Sequence, residues 1–300
     1  MSIYKNGISV LVLAAAASGC ATVYESVPPP LASTNPALLA SAGMPKDKFL
    51  PEQTAVAAGT KYVFVQPGGG SLLLGPIFGS MNITANTKAM AERYKDSLIS
   101  IDPTPVALAA LAKVGVPAGE GPSAFSVKTF VFVQHCFDER FRLTLVFHVD
   151  GQSTPWVGRY SYHLPTSYQD SRFGSLSSEE LSTYRTELAD GAEVLAGLLK
   201  RDFAGDLPAS GPRVRFGSLW LLGNPLGATT PDKLAFPNAL LIEGTDRNVT
   251  IRLRGSMSVV EILGGMTFGV HRFDRNQVHI LIPNPPRAVC PPDGPPCVSK

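Results

Sequence analysis

The chain is short of charge. Only 17% of its 300 residues are Asp, Glu, Lys or Arg, against roughly 25% in ordinary soluble domains. The 26 basic and 24 acidic residues nearly cancel, to a net +2, and they are dispersed. That spread excludes the basic stripe by which proteins grip nucleic acid, so no nucleic-acid partner is expected. Beyond the N-terminus no run offers 18 uninterrupted apolar residues, so no later helix is expected to span a bilayer. The sequence holds no G-x-S-x-G, no H-E-x-x-H, no phosphate loop and no G-x-G-x-x-G. The corresponding hydrolase, metalloprotease and nucleotide-binding readings have no residues to stand on. Cysteines number four, with no C-x-x-C pair beside spaced histidines, so neither a zinc site nor any other cofactor is expected.

What is present begins at the N-terminus. Lys5 precedes an apolar and small-residue run from Ile8 to Ala17. About ten residues are too few to cross a membrane, which takes roughly 20, but they suit the h-region of a secretory signal peptide. The run ends Ala17-Ser18-Gly19-Cys20. This tetrapeptide resembles the lipobox of bacterial lipoproteins. The resemblance implies cleavage between Gly19 and Cys20, a diacylglycerol on the Cys20 sulfur and an acylated new amino group. Ala21 in place of Asp implies, by the same family's sorting rule, the periplasmic face of the outer membrane. The other reading of the stretch is cleavage by ordinary signal peptidase nearby, with Cys20 incidental. Export permits disulfides. Cys290 and Cys297 bracket "CPPDGPPC", whose prolines and Asp293-Gly294 favour a chain reversal, and the two are expected to pair. Cys136 lies in an apolar run and is expected to be a buried thiol.

Four segments are expected. Residues 1–19 are the signal peptide. Residues 20–59, rich in Pro, Ala, Ser and Thr, read as a flexible tether. Residues 60–206 read as an α+β domain, an antiparallel sheet covered by helices. Within it, "VKTFVFVQHC", "RFRLTLVFHV" and "WVGRYSYHL" alternate as a three-stranded meander. Helices are expected around Met90 to Leu98, after Thr104 as cap with Pro105 at the first turn, and from Ser178 to Phe203. The last has a Ser177/Glu180 capping box and an apolar stripe of Leu181, Tyr184, Leu188, Leu195 and Leu199. The glycines and apolar residues of Gly68 to Phe78 either pack inward or form a contact hairpin. Residues 207–300 read as a mainly β region with the cysteine-bracketed tail. That region either extends the first sheet or forms a sandwich or barrel of its own. The element order of the first domain resembles periplasmic auxiliary lipoproteins of envelope transport machines.

One row of side chains invites a chemical reading. With a two-residue turn at Asp138-Glu139 and a four-residue turn at Gly151 to Thr154, His135, Arg142 and His163 line up across the polar face of the meander. Such a row binds an anion or a carboxylate, or is a solvated sheet face. Three functions are therefore weighed. The first is a non-catalytic accessory or structural lipoprotein, held by its lipid and acting on an envelope protein partner. The second is a carrier of lipid or another apolar ligand. The third is a lipid-anchored hydrolase with a non-standard site.

Overall fold

The computed structural model describes residues 26–30, 37–50, 54–65, 76–121, 125–136, 138–151, 156–222, 236–254 and 266–283. Three short strands come first, β1 (Leu38–Ser41), β2 (Thr54–Val56) and β3 (Tyr62–Val65), with a 3₁₀ turn at Asp47–Phe49 after the first. Helices α1 (Pro76–Ile99) and α2 (Thr104–Lys113) follow. The long strands are β4 (Phe125–His135), β5 (Arg140–Gly151) and β6 (Val157–Gln169). Next come the short α3 (Asp170–Phe173) and the long α4 (Ser178–Phe203). The rest is β7 (Arg213–Gly217), a single turn α5 (Leu219–Leu222), β8 (Phe236–Gly244), β9 (Asn248–Arg254), β10 (Phe268–Asp274) and β11 (Ile280–Pro283). Among the described residues no helix is long and apolar enough to cross a membrane. Cys20, Cys290, Cys297 and Gly68 to Gly75 lie outside them.

All eleven strands form one sheet, in the order β11-β7-β8-β9-β10-β6-β5-β4-β3-β2, with β1 beside β3 on the free edge of β4. The β4-β5-β6 meander is present as the alternation predicts. The sheet is mixed, however, where an antiparallel one was expected. β1 and β3 run parallel to β4, and β10 runs parallel to β6. A parallel neighbour needs a crossover connection, and α1 with α2 supplies it between β3 and β4. The C-terminal strands extend the first sheet through the β10-β6 pairing. The tether is also shorter than expected, since β1, the 3₁₀ turn and β2 all fall within 20–59. Composition suggested a linker there, but backbone pairing with β4 and β3 orders it.

The helices cover one face. Ser177 Oγ accepts from the Glu180 amide and the Glu180 carboxylate accepts from the Ser177 amide, which completes the capping box and starts α4. Its Tyr184, Leu188, Leu195 and Leu199 are buried in one core with Leu143, Leu145, Phe147, Tyr160 and Tyr162 of the meander. Gly191 lets the helix sit low, because a Cβ there would come within 2.6 Å of the Tyr162 ring. The start of α2 differs by one residue from expectation. Pro103, rather than Thr104, stands at the cap position, and Asp102 Oδ1 just before it accepts from the Thr104 amide at 2.8 Å.

The opposite face is inner, because the sheet rolls up. In a flat sheet β7 would lie four strands from β6, about 19 Å away. Yet Trp220, just after β7, donates its Nε1 to the Leu164 carbonyl of β6 at 2.9 Å. Gln277 Nε2 reaches the carbonyls of Leu164 and His163 at 3.0 and 3.2 Å. These donors serve carbonyls beyond Tyr162, the last β6 residue paired with β10. Inside the roll, Phe130, Phe132, Val146, Phe216, Val249, Ile251 and Phe273 form a second core.

Candidate functional site

The sequence-derived row is not the row that forms. Cys136 donates to the Arg140 carbonyl at 2.9 Å, and Glu139 takes a left-handed φ of 55°. The turn therefore holds three residues, not two. A one-residue change moves a side chain to the opposite face. His135 accordingly pairs with Phe141 in register and lies against that ring on the helix side, with Asp170 Oδ2 at 3.4 Å from Nε2. The β5-β6 turn is two residues longer than expected, which preserves the face but shifts the partners. Thr144 now faces His163, and an irregularity between Arg142 and Thr144 sets Arg142 opposite Ser167. Arg142 and His163 stay on the inner face as neighbours rather than partners. Neither is solvated, as both are buried.

Arg142 is bound in a two-pronged contact with Asp138, at 3.0 and 2.6 Å, and its guanidinium lies 5.0 Å from the centroid of the Trp220 ring. Burial acts against the Arg142 charge, but the Asp138 partner outweighs it and holds the pKa above its usual value. The neighbouring Cys136 is a buried free thiol, pushed by burial to about 11.

The polar row that does form is Lys128, His148 and Arg159, directly opposite one another on β4, β5 and β6. Lys128 grips both carboxylate oxygens of Asp150, at 2.7 and 2.8 Å. His148 is fully buried, and neither of its ring nitrogens has a hydrogen-bond partner. Its Nε2 lies 4.0 Å from Asp150 Oδ2, and its ring packs 4.9 Å from Phe49. The Phe49 carbonyl accepts from Arg159 Nη2 at 2.7 Å. The 3₁₀ turn thus covers this end of the roll. Burial holds the His148 pKa well below its usual value, and the charges of Arg159 and Lys128 add to the effect. Burial also lowers Arg159 to about 10.

A second buried chain lies farther along. Thr144 Oγ1 and His163 Nδ1 are 3.0 Å apart, and His163 Nε2 and His271 Nδ1 are 3.2 Å apart. His163 stacks on Phe273 with centroids 4.0 Å apart. Either direction of this hydrogen-bond chain gives each ring one proton. Burial keeps both imidazoles neutral, His163 well below its usual pKa and His271 at about 3.

Above Lys128 and Asp150 an open cleft of about 190 Å³ reaches the surface, between β1, the 119–121 segment and the ends of β4 and β5. Ser41, Lys46, Glu120 and Ser126 also line it.

Sequence reasoning missed His148, Arg159 and His271. His148 and Asp150 alternate visibly in "FHVD", but matching His148 to Arg159 needs the true β5-β6 register. Placing His271 needs the parallel β10-β6 pairing, which leaves no local signal. Among the described residues no His, Cys, Asp and Glu group of three or more is placed to hold a metal. Of the three buried imidazoles there, His163 meets a hydroxyl, that of Thr144, and both groups are buried. Searched against protein-family models and curated proteins, the chain matches no family model and no curated protein.

Proposed function

We propose that this chain is a bacterial lipoprotein, anchored through Cys20 at the periplasmic face of the outer membrane. It serves there as a non-catalytic accessory component of an envelope complex. The observation that carries this reading is the apolar run Ile8 to Ala17 followed by Ala17-Ser18-Gly19-Cys20. An accessory role is supported by the body itself, where both faces of the meander are filled by the chain's own side chains. The apolar-carrier reading gains little from the described cleft. Its 190 Å³ and its lysine and carboxylate lining fall short of the roughly 300–1,000 Å³ of mainly apolar ligand pockets. In the exported protein the tail cysteines Cys290 and Cys297 are proposed to be paired.

The test is metabolic labelling with a fatty acid in the native envelope, comparing wild type with Cys20→Ala, followed by cross-linking. Wild type should take up label, fractionate with the outer membrane and cross-link to a discrete envelope protein. The mutant should lose label and accumulate as precursor or as a mislocalised soluble form. Equal labelling of the two proteins would defeat the anchor.

A further inference from the structure

We propose that the end of the body carrying Val27 and Trp156 is a membrane-contact surface, resting on the bilayer that holds the Cys20 lipid. The proposal rests on the lipoprotein reading, to which it adds the surface that meets the membrane.

Trp156 fixes the start of the chain to the body. Its Nε1 donates to the Val27 carbonyl at 3.2 Å. Its ring packs edge-on against Phe125 and Phe203, with centroids 5.3 and 5.6 Å apart. The ring also lies down on Gly158, where a Cβ would come within 2.3 Å of it. On either side of Val27, Ser26 and Pro29 are buried. Residues 26–30 are thereby tied to the end of the sheet where Phe125 of β4 meets Gly151 of β5 and where β6 begins. Leu38 of β1 pairs with the same Phe125, so the chain is held twice at one pole.

Reach then decides orientation. Cys20 precedes Ser26 by six positions, which span at most about 22 Å. From this pole β4 runs eleven residues to the opposite end, about 35 Å, where the chain turns at Asp138 and Glu139. With the body standing on that turn, Ser26 would lie beyond the reach of its own anchor. Without the Trp156 contact the first hold would be β1 at Leu38. Eighteen positions separate it from Cys20, and they reach about 65 Å, enough to bring either pole to the bilayer.

The surface suits the contact. Val27 is 44% exposed, one of three large apolar side chains so exposed among the described residues. Pro30 is exposed too, and Trp156 partly so. Tryptophan favours the membrane–water interface. A patch this small binds a bilayer weakly by itself, but a short tether raises the effective concentration to the millimolar range.

The experiment reconstitutes the full lipidated protein in vesicles of phosphatidylethanolamine and phosphatidylglycerol containing radiolabelled lipid. The photo-crosslinker p-benzoylphenylalanine is placed at Lys46, exposed beside the Phe125–Gly151 end, or at Glu139, exposed at the opposite turn. On illumination the Lys46 position should take up several times more lipid label than the Glu139 position. A spacer of about twelve Gly and Ser residues after Tyr24 triples the tether, leaves the body untouched and should lower the Lys46 signal about fivefold. Val27→Asp changes an exposed side chain and should lower that signal in a protein that still folds. Trp156→Ala should lower it and raise the Glu139 signal. A wild-type protein with neither fatty acid nor vesicle binding would bring down the lipoprotein reading and this surface with it. With the anchor in place, three results would each overturn the surface alone: no lipid label at Lys46, equal label at Lys46 and Glu139, or a Lys46 signal unchanged by both the spacer and Val27→Asp.

Discussion

On its helix side β5 presents Phe141, Leu143, Leu145, Phe147 and Val149. On its inner side the same strand presents Arg142, Thr144, Val146, His148 and Asp150. Both sets are buried, but by different means. The helix side is closed by α4, and a buried ion pair ties the end of that helix to the sheet. Tyr160 donates to Asp202 at 2.7 Å, and Asp202 also accepts from Arg252 of β9 at 2.7 Å. The inner side is closed by the sheet's own curl and by the 3₁₀ turn. It retains imidazoles that burial keeps neutral, and the nitrogens of His148 stay unpartnered. Burial alone therefore says little about tolerance to change. A satisfied buried charge makes its partner indispensable, whereas an unsatisfied buried ring is open to replacement.

The largest test of this contrast is Asp202→Ala. It strands the buried guanidinium of Arg252 and frees the Tyr160 hydroxyl, and a broken buried pair costs about 3–5 kcal/mol. The denaturant midpoint should fall steeply. An unchanged midpoint would show that this link between α4 and β9 contributes nothing. Next comes the apolar part of the same face. Leu188→Ala should cost about 2–5 kcal/mol, while Thr186→Ala on the exposed side of α4 should stay within about 0.5 kcal/mol. Similar midpoints for these two mutants would mean that α4 does not seal the sheet.

Acid sharpens the inner side of the comparison. His148, His163 and His271 have folded pKa values below the unfolded value of about 6.5. Below pH 6.5 the unfolded chain therefore binds protons that the folded chain refuses. Stability is complete above that pH and is lost as the pH falls from about 6.5 toward the folded values, about 3 for His271. Each such histidine contributes a slope of up to about 1.4 kcal/mol per pH unit. The groups facing His148 are Lys128, Asp150 and Arg159, with the Phe49 ring above it. Arg159 also bears on His271, while His163 faces Thr144 and His271. Equilibrium unfolding between pH 7.5 and 5.5 should show the slope, and His148→Phe should flatten it by roughly one histidine's share with little change at pH 7.5. An identical slope in the variant would mean that His148 titrates alike in both states. This is the smallest expected effect at neutral pH.

Much of the helix side was legible from sequence, because stripe, capping box and alternation are local signals. Ser177, Glu180 and the leucines of α4 lie within 23 residues of one another and needed no partner to be recognised. The three strands of the meander were legible too, but not their register. One left-handed residue, Glu139, decided whether His135 faced inward or outward. Residues 37–56 read as a linker, because β1 and β2 are too short to show a period and are ordered by distant strands.

The sequence by itself determined the long elements: the three strands of the meander, the helices α2 and α4, where α4 starts, and that an apolar run at the N-terminus stops at a lone cysteine. These are matters of neighbouring residues and of periods 2 and 3.6. Only the tertiary structure decided that β10 returns beside β6, that the sheet rolls so that Trp220 meets Leu164, and that Lys128, His148 and Arg159 share a row. Those contacts join residues separated by eleven to more than a hundred positions. Turn lengths, crossover connections and the curl of the sheet set them, and none of these is encoded in any one stretch of the chain.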